Sequence, residues 1–191
     1  MFTKLSYWLL KISTGPLTLA CLVIFLVFSA LVLPDQAAKA EDYSGEVGSP
    51  DTSLYYTATE LYSMAEAYGP AGRTAYIRAR FTFDVLWPLV YLACLVTSIS
   101  WLVKKASLGW NTWGRLTLLP FGGVIFDYLE NGSAALVLSR YPQPTAVIDH
   151  LAGIFTLLKW AFIGASFGAL LIIAGLALIR LLGARLKSTP S

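Results

Sequence analysis

Four long apolar segments constrain this chain more than any other feature. They lie at roughly residues 15–34, 82–103, 116–139 and 148–179. Since a helix rises about 1.5 Å per residue, about 20 apolar residues cross the roughly 30 Å of hydrocarbon in a bilayer. Of the 191 residues, 57% are hydrophobic and 13% are charged, against about 25% charged in soluble domains. The sequence predicts an all-α integral membrane protein, a single membrane domain over residues 1–191 built as a four-helix transmembrane bundle.

The basic residues that flank these segments indicate the orientation of the chain. With four crossings they fall on one side of the membrane: Lys4, Lys11, Lys104, Lys105, Arg115, Arg180, Arg185 and Lys187. Because cytoplasmic loops are enriched in Lys and Arg, we expect a multi-pass protein of the cell inner membrane with both termini cytoplasmic. Residues 35–80 are then on the outer side. The arginines that depart from this rule lie near acidic residues at the segment ends: Arg73, Arg78, Arg80 and Arg140.

The first segment has features of a signal peptide as well as of a membrane span. It follows a basic N-terminus, and Ala38-Lys39-Ala40 before Glu41 resembles a signal-peptidase site. Its apolar run is longer than the usual 7–15 residues of a signal peptide. The length favours an uncleaved first helix, and either outcome leaves the other three segments unchanged.

The outer segment divides into a linker and a helix. Glycines and a proline indicate an irregular linker over residues 35–50. Asp51 is a favourable N-cap, and the apolar spacing after it predicts a short amphipathic helix that ends at Gly69. We expect this helix to lie over the outer mouth of the bundle. Its tyrosines suit either an interfacial belt or a lid that touches a ligand.

Polar side chains at membrane depth are the second informative feature. At about 100° per residue, Asp127, Glu130 and Asn131 share one face of the third segment, and Asp149 and Lys159 share one face of the fourth. Counted from the outer ends, Asp127, Glu130 and Lys159 fall in one layer near the membrane midplane. Asp149 falls near the outer edge.

The second segment and the lone histidine complete this pattern. Asp84, near the outer edge, and Tyr91 align on one face of the second segment. His150 points away from the face of the fourth segment that carries Asp149. It is therefore expected to be a weaker partner for Asp149 than its proximity suggests.

The number of buried charges exceeds what one ion pair requires. A charged side chain at the centre of a span costs about 2.5–3.5 kcal/mol, so these groups must face the bundle interior and pair. Lys159 can neutralise only one of Asp127 and Glu130. The other acid binds a proton, a cation or a ligand, or pairs with an arginine from the outer side, and Asn131 can donate to whichever carboxylate stays ionised. The arginines that could reach down are Arg78, Arg80 and Arg140.

One ion pair is predicted from spacing alone. Arg80 and Asp84 are four residues apart at the entry to the second segment. Residues at this spacing are neighbours on a helix surface. We expect a structural clamp there.

The leading functional interpretation is an intramembrane pocket, open to the outer leaflet, that binds a lipid or another small molecule. Its candidate ligand-binding residues are Asp84, Tyr91, Asn131 and Asp149. Its candidate catalytic residues are Asp127, Glu130 and Lys159. In catalysis one carboxylate would act as general acid or base, and the ammonium group would stabilise a developing negative charge.

The same residues also fit three alternative roles. In the first, the buried pairs have no function other than to fix the register of the helices. The chain could be a structural subunit of a larger homo- or hetero-oligomeric membrane complex, or a component of a proton-coupled transporter. Whether the protein is an enzyme is also open, and the sequence indicates no cofactor.

Several functional classes lack their sequence signals. There is no glycine-rich phosphate loop, no H-E-x-x-H and no G-x-S-x-G. With one histidine, and with Cys21 and Cys94 inside apolar segments, we expect no metal site, although Asp127, Glu130 and Asn131 could offer oxygen ligands to a hard cation. The net charge of +3 is small and dispersed, which argues against nucleic-acid binding. Membrane lipids are the expected partners.

Overall fold

The computed structural model of the chain describes the backbone of residues 2–187 and the side chains of residues 4–180, 182 and 183. All regular structure in this range is helical. The α-helices are α1 (Phe2–Ile12), α2 (Gly15–Val27), α3 (Leu33–Ser44), α4 (Ala58–Ala67), α5 (Gly69–Arg80), α6 (Phe83–Lys105), α7 (Trp110–Trp113), α8 (Leu119–Arg140) and α9 (Ile148–Lys187). The shorter helical turns are a π turn (Phe28–Val32) and three 3-10 turns (Gly45–Val47, Pro50–Thr52 and Gly114–Leu118).

Three of these stretches are long and apolar enough to cross a membrane: Gly15–Val47, Gly69–Lys105 and Ile148–Arg180. The helical membrane class predicted from the sequence is therefore supported. The third predicted segment forms α8, a helix of 22 residues that packs along α9. Because α8 carries Asp127 and Glu130, it is less apolar than the other three.

The prediction of an irregular linker over residues 35–50 is wrong for most of its length. The first apolar helix passes through the π turn and continues as α3 to Ser44. Pro34 lies inside this continuous helix, directly after the π turn, where the Leu33 N–H donates to the Phe28 carbonyl oxygen. A local π turn of this kind re-satisfies backbone groups that a proline frees in an apolar helix. The chain turns only at Gly45, whose φ of +53° is a conformation that glycine adopts easily.

The predicted N-cap of the outer helix is also wrong. Helix α4 begins at Ala58, and Thr57 caps it: the Thr57 hydroxyl accepts from the Glu60 N–H, and the Glu60 carboxylate accepts from the Thr57 N–H. This reciprocal pair satisfies two N–H groups that the helix leaves free. Asp51 lies earlier, in a 3-10 turn, and its carboxylate contacts Arg80.

Three apolar clusters follow one another along the bundle. The upper end, as we name it, is where α4, α5, the end of α8 and the start of α9 pack together; its buried core includes Tyr56, Leu61, Tyr76, Val137 and Leu138. The middle cluster is built on Tyr91, Leu95 and Val124. The lower end joins the end of α6 to α7 and α9, with Ile99, Val103, Leu108, Ile173 and Ala177 in its core.

Lys11, Lys104, Lys105 and Arg180 lie near helix ends at the lower end. Helix α1 packs there against α6 and the turn Gly114–Leu118. Arg180 donates from Nη1 to the carbonyl oxygens of Ala106 and Ser107, which ties α9 to the C-terminus of α6. The side chains of Arg185 and Lys187 lie outside the described residues.

Candidate functional site

A cavity of about 410 Å³ lies between α3, α6, α8 and α9, beneath the 3-10 turn Pro50–Thr52. Its charged wall consists of Asp51, Arg80, Asp84, Asp127 and Lys159, and the exposed Lys39 of α3 also lines the cavity. Its apolar wall is larger and includes Phe25, Leu33, Phe83, Trp87, Ile163 and Phe167. The cavity therefore has a charged part and an apolar part, as an amphiphile does.

Arg80 organises the upper part of the charged wall. It is the last residue of α5 and is only 6% exposed. Its Nη1 group contacts the Asp51 carboxylate, and its Nε lies 2.9 Å from Asp84 Oδ2. The guanidinium carbon lies 4.5 Å from the centre of the Tyr76 ring. The predicted Arg80–Asp84 ion pair is thus confirmed, and a second carboxylate shares the same cation.

Asp51 reaches this cation from the loop above the cavity. Burial alone would raise the pKa of its carboxyl group, but the positive charges of Arg80 and Lys159 outweigh that effect and hold the pKa below the usual 3.8. Ser49 adds a hydrogen bond from its hydroxyl to Asp51 Oδ2 at 3.2 Å. Asp51 is therefore a charged group that holds the loop onto α5.

Asp127 has a different set of partners. The Tyr91 hydroxyl donates to its Oδ2 at 3.2 Å, and Asn131 Nδ2 donates to its Oδ1 at 3.0 Å. Asn131 in turn accepts from Arg80 Nη1 at 3.4 Å. Asp127 is 8% exposed and makes no ion pair with any basic side chain of the described residues. It is the carboxylate of the cavity wall that only neutral donors hold.

Lys159 is paired with the other acid of α8. Its Nζ lies 2.5 Å from Glu130 Oε2, and Glu130 is 0% exposed. Lys159 also lies over the Trp160 ring, 5.3 Å from its centre, and the Trp160 indole N–H donates to the Ser53 carbonyl at 2.9 Å. Lys159 faces the cavity, whereas Glu130 lies behind it and is not part of the wall.

Most of the residues predicted for the site are brought together. Asp84, Tyr91, Asp127 and Lys159 line the cavity. Asn131 and Glu130 contact that wall from behind through Asp127 and Lys159.

Asp149 lies outside the cavity wall, at the start of α9. Its carboxylate accepts from the Tyr62 hydroxyl at 3.2 Å and lies 2.8 Å from His150 Nδ1. The expectation that His150 would be a poor partner for Asp149 is wrong, because the ring of an adjacent residue folds back onto the carboxylate. His150 is nevertheless 76% exposed and takes no part in the buried cluster.

Two parts of the wall were missed by sequence reasoning. Asp51 was interpreted as a helix cap, and no local signal links it to Arg80. The side of the cavity formed by α3, with Gln36, Ala37 and Tyr43, was interpreted as a linker. The available signal was the i, i+4 pair of Asp35 and Lys39, whose side-chain atoms lie 2.6 Å apart on α3.

The charges around the cavity do not balance. Four carboxyl groups, those of Asp51, Asp84, Asp127 and Glu130, face the two buried cations Arg80 and Lys159, a formal charge of −2. The third cation of the lining, Lys39, is exposed and pairs with Asp35 at 2.6 Å, so that this pair adds no net charge. In the described residues no group of three or more His, Cys, Asp or Glu side chains is placed to hold a metal ion. The arrangement can hold a proton or a positively charged group, and can orient a molecule with one polar end.

Comparisons with protein-family models, with curated proteins and with solved structures found no match to this chain.

Proposed function

We propose that this protein is a four-span membrane protein whose cavity binds the polar end of an amphiphile, a lipid or another small molecule that enters from the outer leaflet. The observation that carries the proposal is the cavity itself, with ionisable side chains at one part and aromatic and aliphatic side chains at the other. Small-molecule sites are typically concave and mostly apolar, with a few polar groups that orient the ligand.

The fourth crossing in this proposal is α8. Its 22 residues would reach about 33 Å at 1.5 Å per residue. The acidic side chains of α8, Asp127 and Glu130, are buried, whereas Ile125, Leu129 and Leu136 are exposed. A helix of this kind can cross a bilayer when its polar face is covered by neighbouring helices.

The orientation follows from charge. Basic residues at the lower end are those expected in the cytoplasm, so the cavity and the loop with Asp51 would be on the outer side, and both termini cytoplasmic. Single cysteines at Ser53 and at Ser107, in a chain whose Cys21 and Cys94 are replaced by Ala, would test this with a membrane-impermeant thiol reagent on intact cells. We expect labelling at position 53 and none at position 107. Labelling at both positions, or the reverse, would contradict the orientation.

We place the route into the cavity between α3 and α9. Both helices line the cavity, with Ala37 and Tyr43 on α3 and Ile163 and Phe167 on α9. Helix α3 packs on α5, while α9 packs on α8, α6 and α4. An acyl chain could therefore pass between them without displacing the main helix contacts.

Binding can be tested by blocking the cavity. Ala37 lines it, and its neighbour Ala38 does not. Mass spectrometry of the protein purified from membranes in a mild, neutral detergent should detect a bound amphiphile in the wild type and in Ala38→Trp, and little or none in Ala37→Trp. A wild-type protein that carries no small molecule, or equal amounts in both variants, would contradict the proposal.

Acid–base catalysis on the bound molecule is a second candidate function. It is favoured by the presence of a carboxylate, Asp127, and an ammonium group, Lys159, in the same wall. The first would transfer a proton and the second would stabilise negative charge. Incubation of the purified protein with a membrane lipid extract should then consume one lipid species in the wild type and not in Asp127→Asn. A lipid profile that both proteins leave unchanged would count against catalysis.

A further inference from the structure

We propose that the polar end of the bound amphiphile is cationic, an amine or quaternary ammonium group held by Asp127 and facing the rings of Trp87 and Tyr91. This inference rests on the proposed function, and it adds the chemical class of the ligand. It depends on which charges of the wall are already paired and which are not.

All three cations that line the cavity already have anionic partners. Arg80 contacts Asp51 and Asp84, and Lys159 contacts Glu130 at 2.5 Å. The exposed Lys39 pairs with Asp35 at 2.6 Å. An anionic headgroup would have to compete with these carboxylates, and removal of a buried ion from its partner leaves a strongly unfavourable unpaired charge. The site is therefore poorly suited to a phosphate or a carboxylate.

Asp127 has the opposite character. Its two carboxylate oxygens accept from Tyr91 and Asn131, which are neutral donors. A carboxylate oxygen has more than one acceptor position, so Asp127 can accept a further hydrogen bond or contact a positive charge from the cavity side. A ligand with one positive charge would reduce the formal charge of the site from −2 to −1, which matters more in a buried site than in water.

Aromatic side chains next to Asp127 add a second attraction. Trp87 and Tyr91 line the cavity, with ring centres 6.0 Å apart and ring planes at 74°. Two rings at this angle form a corner, and aromatic faces attract cations within about 6 Å of their centres. Lys159 over Trp160 is an example of the same contact inside this site.

The alkyl chain of the bound amphiphile would lie along the apolar wall of the cavity. Trp87 stacks on Phe25 with 5.7 Å between ring centres, and Phe25 lies 6.3 Å from Phe167 by the same measure. These rings run from the corner at Trp87 towards α2 and α9. A molecule with its ammonium group at Asp127 would thus place its alkyl chain against phenylalanines and Ile163.

The test is a competition between matched probes. The full-length protein in neutral detergent is mixed with equal concentrations of three alkyl probes of one chain length, which end in trimethylammonium, phosphate or hydroxyl. Native mass spectrometry measures how much of each probe is bound to the protein. The Ala37→Trp variant, whose cavity is blocked, gives the background level of binding outside the cavity. We expect the trimethylammonium probe to exceed the other two by about tenfold, the order of magnitude of a charge-assisted contact.

Two variants connect the preference to Asp127. Asp127→Asn keeps the shape of the side chain and removes its charge, so the preference should fall by about tenfold, towards the level of the hydroxyl probe. Asp149→Asn, on an acid outside the wall, should retain it. Circular dichroism shows whether each variant is folded. The preference of the wild-type protein among the three probes is measured without any variant, so it tests the cationic assignment even where a variant does not fold.

The outcomes separate the two proposals. A preference for the phosphate or hydroxyl probe, above the Ala37→Trp level, would overturn the cationic assignment and leave the binding function standing. Binding of all three probes at that background level would overturn both. A trimethylammonium preference that survives Asp127→Asn in a folded protein would overturn the assignment to Asp127.

Discussion

Arg80 and Asp51 form an ion pair that joins the end of α5 to the loop above the cavity. The same guanidinium group lies 2.9 Å from Asp84. One buried cation therefore holds two carboxylates from two different parts of the chain.

Arg80→Met should destabilise the protein strongly. The variant leaves Asp51 and Asp84 without their cation, and loss of one partner of a buried pair costs about 3–5 kcal/mol. Because Asp51 is 29% exposed, solvent screening should bring the loss to the lower end of that range. The free energy of unfolding in mixed detergent micelles measures it. Arg78→Met is the control, since Arg78 is exposed on the same helix; equal losses in the two variants would contradict the role of Arg80.

The Asp51–Arg80 pair should make stability depend on acid pH. The folded-state pKa of Asp51 lies below its usual value of 3.8. Such a group stabilises the folded state fully above the unfolded-state pKa, and this contribution is lost as the pH falls through the folded-state pKa. Asp51→Asn should be less stable than the wild type at neutral pH, and the gap between their unfolding midpoints should narrow below about pH 4. A gap of constant size from neutral to acid pH would contradict the charged pair.

Glu130 and Lys159 should behave as one unit. Each is buried and each is the other's ion-pair partner. Glu130→Gln and Lys159→Met alone should each lower the free energy of unfolding by about 3–5 kcal/mol, because each leaves a buried charge unpaired. The double variant should lose much less than the sum of the two. Simple additivity in this double-mutant cycle would show that the two charges do not depend on each other.

Gly153 should tolerate no side chain. A Cβ atom there would collide with the backbone carbonyl oxygen of Tyr56, which comes from the loop above the cavity. Since backbone cannot move aside as a flexible side chain can, Gly153→Ala should cost about 1–3 kcal/mol. Gly164→Ala, on the same helix with open space around it, should leave stability unchanged or raise it by up to about 1 kcal/mol. Thermal unfolding compares the stabilities of the two variants. A Gly153→Ala protein as stable as the wild type would show that the loop does not lie against Gly153.

The positions of the helices were largely predictable because helix length and apolarity are local properties. Each of the four predicted segments overlaps one apolar helix, although the first helix continues through the π turn into α3 and α9 extends beyond residue 179. Local pattern failed at residues 35–50, whose glycines and proline were interpreted as a linker. In the structure the helix continues past Pro34 to Ser44, and the chain turns at Gly45. A proline inside an apolar helix is tolerated when a local π turn re-satisfies the backbone groups that it frees, and only the surrounding structure decides whether that happens.

The sequence by itself determined that Asp127 and Glu130 share one face of α8, because helical periodicity follows from the backbone geometry, and both are buried. Tertiary structure decided the partners. It paired Lys159 with Glu130, left Asp127 with Tyr91 and Asn131, and brought Asp51 onto Arg80. These choices depend on distances between side chains of different helices and loops, which the packing of the bundle sets and no local pattern encodes.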